Sequence, residues 1–447
     1  MKRTKLFCMI MVLAALLLSN VGVTTQAAAP TPEEEISGDF VYWVMWNEGE
    51  PEQMVFSDVI AEFQKAYPNV NVKVTWAGRE VLTKARSALM AGSQLDLVDQ
   101  AADELNAAFI KSDLALPLDD LLDEKAYGED VAFKDILVPG VLEPYKWQGH
   151  VVFIPYSIYT SAFWYDENYF AENGLSVPKT WGEMMDMCEK LKGMGKACIA
   201  QDGTVDFYNA YYWYWLSQRI MGPGAWYKAV SDPSGAAWDD PGWLEVARKV
   251  QEPVQKGYFM SGWEGNIWPA GQVAWSQGEA AVILCGSWIP NETNKTAKPG
   301  FKYRGFVFPE VEGGKGKATE VESYLIGWIV PKDAKNPAAA RAFIKFAMQK
   351  DFRAKHVEAA KTMSARLDAP MPELLPDMRG WFETSTLLFK PYDGVQADHP
   401  GWWTTIFLPL QNQLIMLKIT PEEFISTLKQ QTVDFWAKPT PTPGAVR

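Results

Sequence analysis

The 447-residue chain carries 42 basic and 55 acidic residues, a formal charge of −13. That surface repels phosphate backbones and anionic headgroups, which excludes nucleic acid and anionic membrane surfaces as partners. With 48% hydrophobic and 22% charged residues, the chain has material for two or three separately cored lobes. Residues 1–28 read as a secretory signal peptide: Lys2, Arg3 and Lys5 precede an apolar run over residues 6–18, and Ala27, Ala28 and Ala29 supply small residues for cleavage. The run falls short of the roughly 20 residues that span a bilayer, so export with cleavage is expected rather than anchorage. Cys8 sits early in the run and no lipidation-type cysteine ends it, so a lipoprotein is not expected. Residues 29–37 form a polar tether, and residues 438–447 (KPTPTPGAVR) a Pro/Thr tail with almost nothing to bury.

Between these segments strands alternate with helices. Residues 41–46 read as a buried strand, and Phe56, Val59, Ile60, Phe63 and Tyr67 recur at helical spacing. Val70, Val72, Val74 and Trp76 alternate with polar residues as a half-buried strand. A helix from about Glu80 stops at Gly92, and residues 95–99 form another strand. Thr180 with Glu183 makes a capping box ahead of Met184, Met187, Cys188 and Leu191. Asn336 before Pro337, and Thr420 before Pro421 and Glu423, repeat the start signal. Such alternation predicts α/β sheets covered on both faces, with ligands beyond the carboxyl ends of the strands. Cys188, Cys198 and Cys285 are too few for a disulfide scaffold. Cys188 and Cys198 read as buried thiols, with a pair between them as the alternative outside the cytoplasm.

Several segments together carry a resemblance: VYWVMW, FQKAYPNVNVKV, LDLVDQAADELNAAF, FIPYSIYTSAFWYDENYF, VPKTWGEM, GQVAWSQGEAAVILCGSW and LIGWIVPKDAKNPAAARAFIKFAMQ. In this order the chain resembles the extracellular solute-binding proteins of family 1, which include maltose-binding and other sugar-binding proteins of ABC importers. Asp166 departs from the asparagine usual after that tyrosine. The resemblance implies a type II periplasmic-binding-protein-like fold of two α/β lobes that close on ligand about a hinge. By motif, one lobe holds residues 38–155 and 324–352 and the other 156–323 and 353–437, with crossings near Pro155, Ser323 and Gln349. It further implies a carbohydrate ligand, the membrane permease subunits of an ABC transporter as partner, and a monomer in the periplasm or at the cell surface.

Composition points to sugar independently: 20 tryptophans in 447 residues supply flat apolar plates, and carboxylates and amides can bind a rim of hydroxyls. Trp46, Asn47 and Glu48 follow the first strand, Trp46 being equally placed to end the strand's core. Asp99, Gln100 and Asp103 follow the third, where Asp103 is also an N-cap candidate. Arg79 and Glu80 read as solvated surface. In YNAYYWYW most rings belong to the core, with Tyr211 and Trp213 as cleft candidates. Trp288 follows the turn at Gly286 and Ser287, where the family places a stacking tryptophan, and is the foremost candidate. Of Trp402 and Trp403, one is expected on the sugar and the other beneath it; Tyr159 and Glu322 lie at crossings.

No catalytic residue, metal ligand or cofactor is expected. The chain has no G-x-S-x-G elbow and no H-E-x-x-H. His150, His356 and His399 stand far apart, and residues 313–316 (GGKG) lack phosphate-loop spacing and read as a hairpin. A carbohydrate-active enzyme working through paired carboxylates, or the same fold with a polyamine ligand, are the alternatives.

Overall fold

The computed structural model describes Ile36–Lys438; the expected signal peptide, tether residues 29–35 and tail residues 439–447 lie outside those residues. Among the described residues twelve strands are formed: β1 Gly38–Val44, β2 Val70–Trp76, β3 Leu97–Ala101, β4 Ile154–Tyr159, β5 Ser161–Asp166, β6 Ala197–Ala200, β7 Ala280–Gly286, β8 Tyr303–Phe306, β9 Glu320–Glu322, β10 Tyr324–Ile329, β11 Met363–Ser364 and β12 Leu387–Phe389. They build a six-stranded sheet in the order β11-β4-β10-β3-β1-β2, a four-stranded sheet β6-β7-β5-β8 and the pair β12-β9.

In the first sheet β1 runs parallel to β2 and β3, while β10 is antiparallel to both β3 and β4. Phe40, Tyr42 and Val44 alternate into its core, where Val55, Phe56, Val59 and Phe63 of helix Pro51–Ala66 cover them. The buried Asp96 carboxylate accepts backbone N–H groups from Val41 at 2.9 Å and from Lys335 and Asn336 at 2.7 and 2.8 Å, tying the sheet to the start of helix Pro337–Ala347. Gly327 of β10 is required by proximity: a Cβ there would lie 2.2 Å from the Ile154 carbonyl oxygen, a contact only glycine avoids.

The second sheet packs around helix Asp206–Met221, which is buried at every position from Tyr208 to Met221. Trp213 stacks on Trp243 at 6.0 Å and Trp215 on Phe308 at 5.8 Å between ring centroids. Asn336 and Thr420 cap their helices as expected, Thr420 with Glu423 in a full capping box. Thr180 caps helix Trp181–Gly193, but the Glu183 side chain returns to the Lys179 N–H rather than to Thr180.

Three sequence expectations change. Cys188 and Cys198 form a disulfide rather than two thiols, joining that helix to β6. Residues 313–316 form turns laid on the Arg219 and Gln218 carbonyls, with no strand pair flanking them. Two of the three crossings also lie elsewhere than expected. β4 passes into β5 through Thr160 alone, five residues beyond Pro155, and β9 into β10 through Ser323 alone. Helix Lys350–Ala360 stays with the first sheet, where Arg353 lies over the Phe56 ring and His356 meets Ser157. β11 pairs with β4 in that sheet, so the change of half falls after Ser364 rather than near Gln349. Asp377 then receives Arg304 of β8.

Candidate functional site: an aromatic cavity at the strand ends

A cavity of about 1030 Å³ is lined from both halves. Trp46 follows β1, Arg79 follows β2, Asp103 follows β3 and Trp288 follows β7, so the first-sheet loops and the second-sheet turn converge at carboxyl strand ends. Tyr159 and Glu322 close β4 and β9 beside it, and Tyr324 opens β10.

Of the residues singled out in the sequence, Trp46, Asp103, Tyr159, Tyr211, Trp288, Glu322 and Trp403 line this cavity. Asn47, Glu48, Asp99, Gln100, Trp213 and Trp402 do not. Asn47 spends its amide on Glu50 at 2.9 Å in the turn, and Glu48 is exposed. Asp99 lies beneath the site, accepting from the Met45 N–H at 2.9 Å and from the Tyr156 hydroxyl at 2.7 Å. Tyr156 in turn accepts the Trp46 indole N–H at 2.9 Å, so Asp99 orients a cavity ring without reaching the cavity. Gln100 folds back on the Ala101 N–H at 2.9 Å. Trp213 packs in the core of the second half, and Trp402 stacks on Phe407 at 5.8 Å while donating to Thr432 at 3.0 Å.

Arg79, read from sequence as surface, is exposed as expected and also lies over the Trp46 ring at 4.8 Å. Its guanidinium donates to the Met45 carbonyl at 2.7 Å and to both Glu50 oxygens at 3.0 and 3.1 Å. Tyr208, Trp268, Glu292, Tyr324 and Tyr392 also line the cavity and escaped the sequence reading.

The plates form two groups. Trp288 is half-buried, with its ring against Gly286 and its N–H 3.4 Å from the Tyr208 hydroxyl; Tyr159 stands 6.4 Å away, ring to ring. Tyr208, Tyr211 and Tyr392 stack in sequence at 6.0 and 5.6 Å, and Trp403 leans on Tyr392 at 4.7 Å. Five carboxyl groups share the lining: Asp103, Glu104, Asp206, Glu292 and Glu322. One Asp103 oxygen is buried with no hydrogen-bond partner. Glu322 accepts from the Ser161 hydroxyl, which also receives the Trp215 N–H at 2.9 Å.

Burial pushes the Asp103 and Glu322 carboxyls up to about 7, and Asp99 likewise. Each group then holds its proton longer folded than unfolded. Its stabilising contribution is full below the unfolded carboxyl range, 3.8 to 4.5, and is lost as pH rises through about 7. Relative to the double variant Asp103→Asn/Glu322→Gln, which cannot ionise there, the wild-type thermal midpoint should therefore fall between about pH 4 and 7. Parallel midpoints across that range would contradict the raised values.

The sequence pattern of the bacterial extracellular solute-binding proteins matches residues 49–352. The chain belongs to that family. Among relatives of this solute-binding protein, a diacetylchitobiose binding protein, NgcE, of Streptomyces coelicolor is 26% identical over 271 residues, covering 60% of this chain. That match spans 57% of the relative's own length. A multiple sugar-binding protein of Streptococcus mutans is 22% identical over 75% of this chain and 79% of its own. Among solved structures, apo RafE from Streptococcus pneumoniae is 18% identical with a TM-score of 0.71, covering 91% of this chain and all of its own. A chitin oligosaccharide binding protein is 19% identical with a TM-score of 0.69, over 90% of this chain and all of its own. At these identities the likeness carries the architecture: the two-lobed α/β fold of type II periplasmic binding proteins.

Proposed function

We propose that this chain captures an oligosaccharide between its two halves and delivers it to the membrane permease of an ABC transporter, without turning it over. The observation that carries the reading is the cavity itself. Stacked aromatic plates and an unpartnered buried carboxylate oxygen face one space, which is what a pyranose with an apolar C–H face and a hydroxyl rim requires. At about 1030 Å³ the cavity lies at the upper end of small-ligand sites, which favours more than one ring.

The proposed ligand set is Trp46, Asp103, Tyr159, Tyr211, Trp288, Glu322 and Trp403, joined by Arg79, Tyr208 and Tyr392. Closure would turn on the single-residue crossings at Thr160 and Ser323. The chain is read as an exported monomer, free in a periplasm or held at a cell surface without a lipid anchor. The Cys188–Cys198 disulfide suits that oxidising setting.

Calorimetry of the purified protein tests the reading, with N,N′-diacetylchitobiose, longer chitin oligosaccharides, xylo-oligosaccharides, raffinose and spermidine as titrants. Chitin fragments head the panel because a relative bears the name diacetylchitobiose binding protein. Heat with at least one saccharide and no new product on chromatography is expected. Heat with spermidine alone would favour the second reading, a polyamine, for which the five lining carboxyl groups are the supporting observation.

A further inference from the structure

The segment that follows β12 is built against its own backbone preferences. Within Pro391–Gly394, Tyr392 has φ 49° and ψ 33° and Asp393 has φ 56° and ψ 20°, and Gly394 follows at φ 77°. Three consecutive left-handed residues, two of them bearing side chains, persist only where surrounding contacts over-determine them. The contacts are identifiable. The Asp393 carboxylate reaches across to helix Ala225–Val230 and accepts the Gly224 N–H at 2.8 Å and the Tyr227 N–H at 3.0 Å. The Asp393 N–H closes the turn on the Lys390 carbonyl at 3.2 Å. On the far side, Asp398 accepts the Asn106 amide at 2.9 Å and pairs with Lys111, both from the first half.

What the turn displays is the Tyr392 ring. It stands between Tyr211 and Trp403 in the cavity wall, with its hydroxyl on the Phe207 carbonyl at 3.2 Å. In the ordinary right-handed or extended region the Cα–Cβ bond of residue 392 would point elsewhere, and the stack would lose its third member. We propose that Asp393 is the positioning residue of this site: its grip on the Gly224 and Tyr227 N–H groups holds the left-handed turn that presents Tyr392 to the ligand. The proposal rests on the carbohydrate reading and adds to it a residue outside the ligand's reach.

A double-mutant cycle separates positioning from a general structural role. Titrations of the full chain with N,N′-diacetylchitobiose, or with the tightest saccharide of the panel, compare wild type, Asp393→Ala, Tyr392→Ala and the double variant. Each single change should weaken binding by roughly tenfold, the scale of one stacked aromatic. The double variant should bind no worse than Tyr392→Ala, because once the ring is gone Asp393 has nothing to position. Asp393→Asn, which keeps one acceptor oxygen, should recover much of the affinity; should Asp393→Ala not fold, Asp393→Ser, whose hydroxyl is too short to take both N–H groups, replaces it in the cycle. Losses that multiply in the double variant, or an Asp393→Ala protein that binds like wild type, would overturn the positioning role. Saccharide-free behaviour of the wild type would overturn the carbohydrate reading itself, and the role with it.

Discussion

Replacing Trp288 with alanine is expected to weaken saccharide binding roughly 10- to 100-fold, about 1–3 kcal/mol, with little change in thermal stability. The indole is half-buried and rests on Gly286 without filling the core, so its loss opens no sealed void. Its removal takes away a plate and releases the Tyr208 hydroxyl that faces its N–H. Two comparisons sharpen the test. Gly286→Ala removes nothing, yet its Cβ would lie 2.2 Å from the ring and must displace it, so affinity should fall in the same direction. Trp402→Phe alters a fully buried ring that does not line the cavity, so it should lower stability while leaving affinity near wild type. An unchanged affinity for Trp288→Ala on calorimetry would remove that residue from the site.

The disulfide carries the second large effect. Cys188 and Cys198 are 10 residues apart and fasten the last turns of helix Trp181–Gly193 to β6, an edge strand of the four-stranded sheet. Closing a loop of that length restricts the unfolded chain by about 3 kcal/mol on the chain-entropy estimate. Both sulfurs are buried, so a Cys188→Ser/Cys198→Ser protein also leaves two hydroxyls in apolar surroundings. The denaturation midpoint of the variant should drop accordingly, and hydrogen exchange should quicken first in β6 and the helix ahead of it. Coincident unfolding curves for the two proteins would show that the bond contributes nothing to stability. The saccharide titration should be little altered, since neither cysteine lines the cavity.

Local signals were legible in the sequence because they act locally. Thr420, Asn336 and Thr180 each cap the helix they were expected to start, through a hydrogen bond three residues away. The apolar positions of helix Pro51–Ala66 follow from periodicity alone. The crossing at Thr160 was misplaced because the proline of this aromatic-rich segment, Pro155, lies inside β4, while the change of sheet at Thr160 and Ser161 carries neither glycine nor proline.

The aromatic helix shows the same limit in the site. Tyr211 and Trp213 are two residues apart, hence about 200° around the helix, and only one of them can face the cavity. A helix buried on all sides gives no polar face to say which. Neighbouring Trp402 and Trp403 pose the same choice, and it is the packing of Trp238 and Phe407 that takes Trp402 inward. Arg79 is the surface residue expected, but its place on Trp46 was not legible because its partners, Glu50 and the Met45 carbonyl, lie about thirty residues away and nothing nearby announces them. Tyr392 depends on a backbone conformation that tyrosine seldom adopts, so no propensity could have placed it.

The position of β10 sets a timetable for biosynthesis. It is an inner strand, seated between β3 and β4, yet it follows both by a long stretch of chain. At a translation speed of about 5–20 residues per second, β3 and β4 leave the ribosome on the order of ten seconds before the strand that joins them. Throughout that interval both carry unpaired inner edges lined by buried-type side chains, the kind of surface that recruits other nascent chains. The same edges stay open until Tyr324–Ile329 is in place, whenever the chain folds, so a product truncated ahead of that strand should aggregate or be proteolysed where the full chain is not.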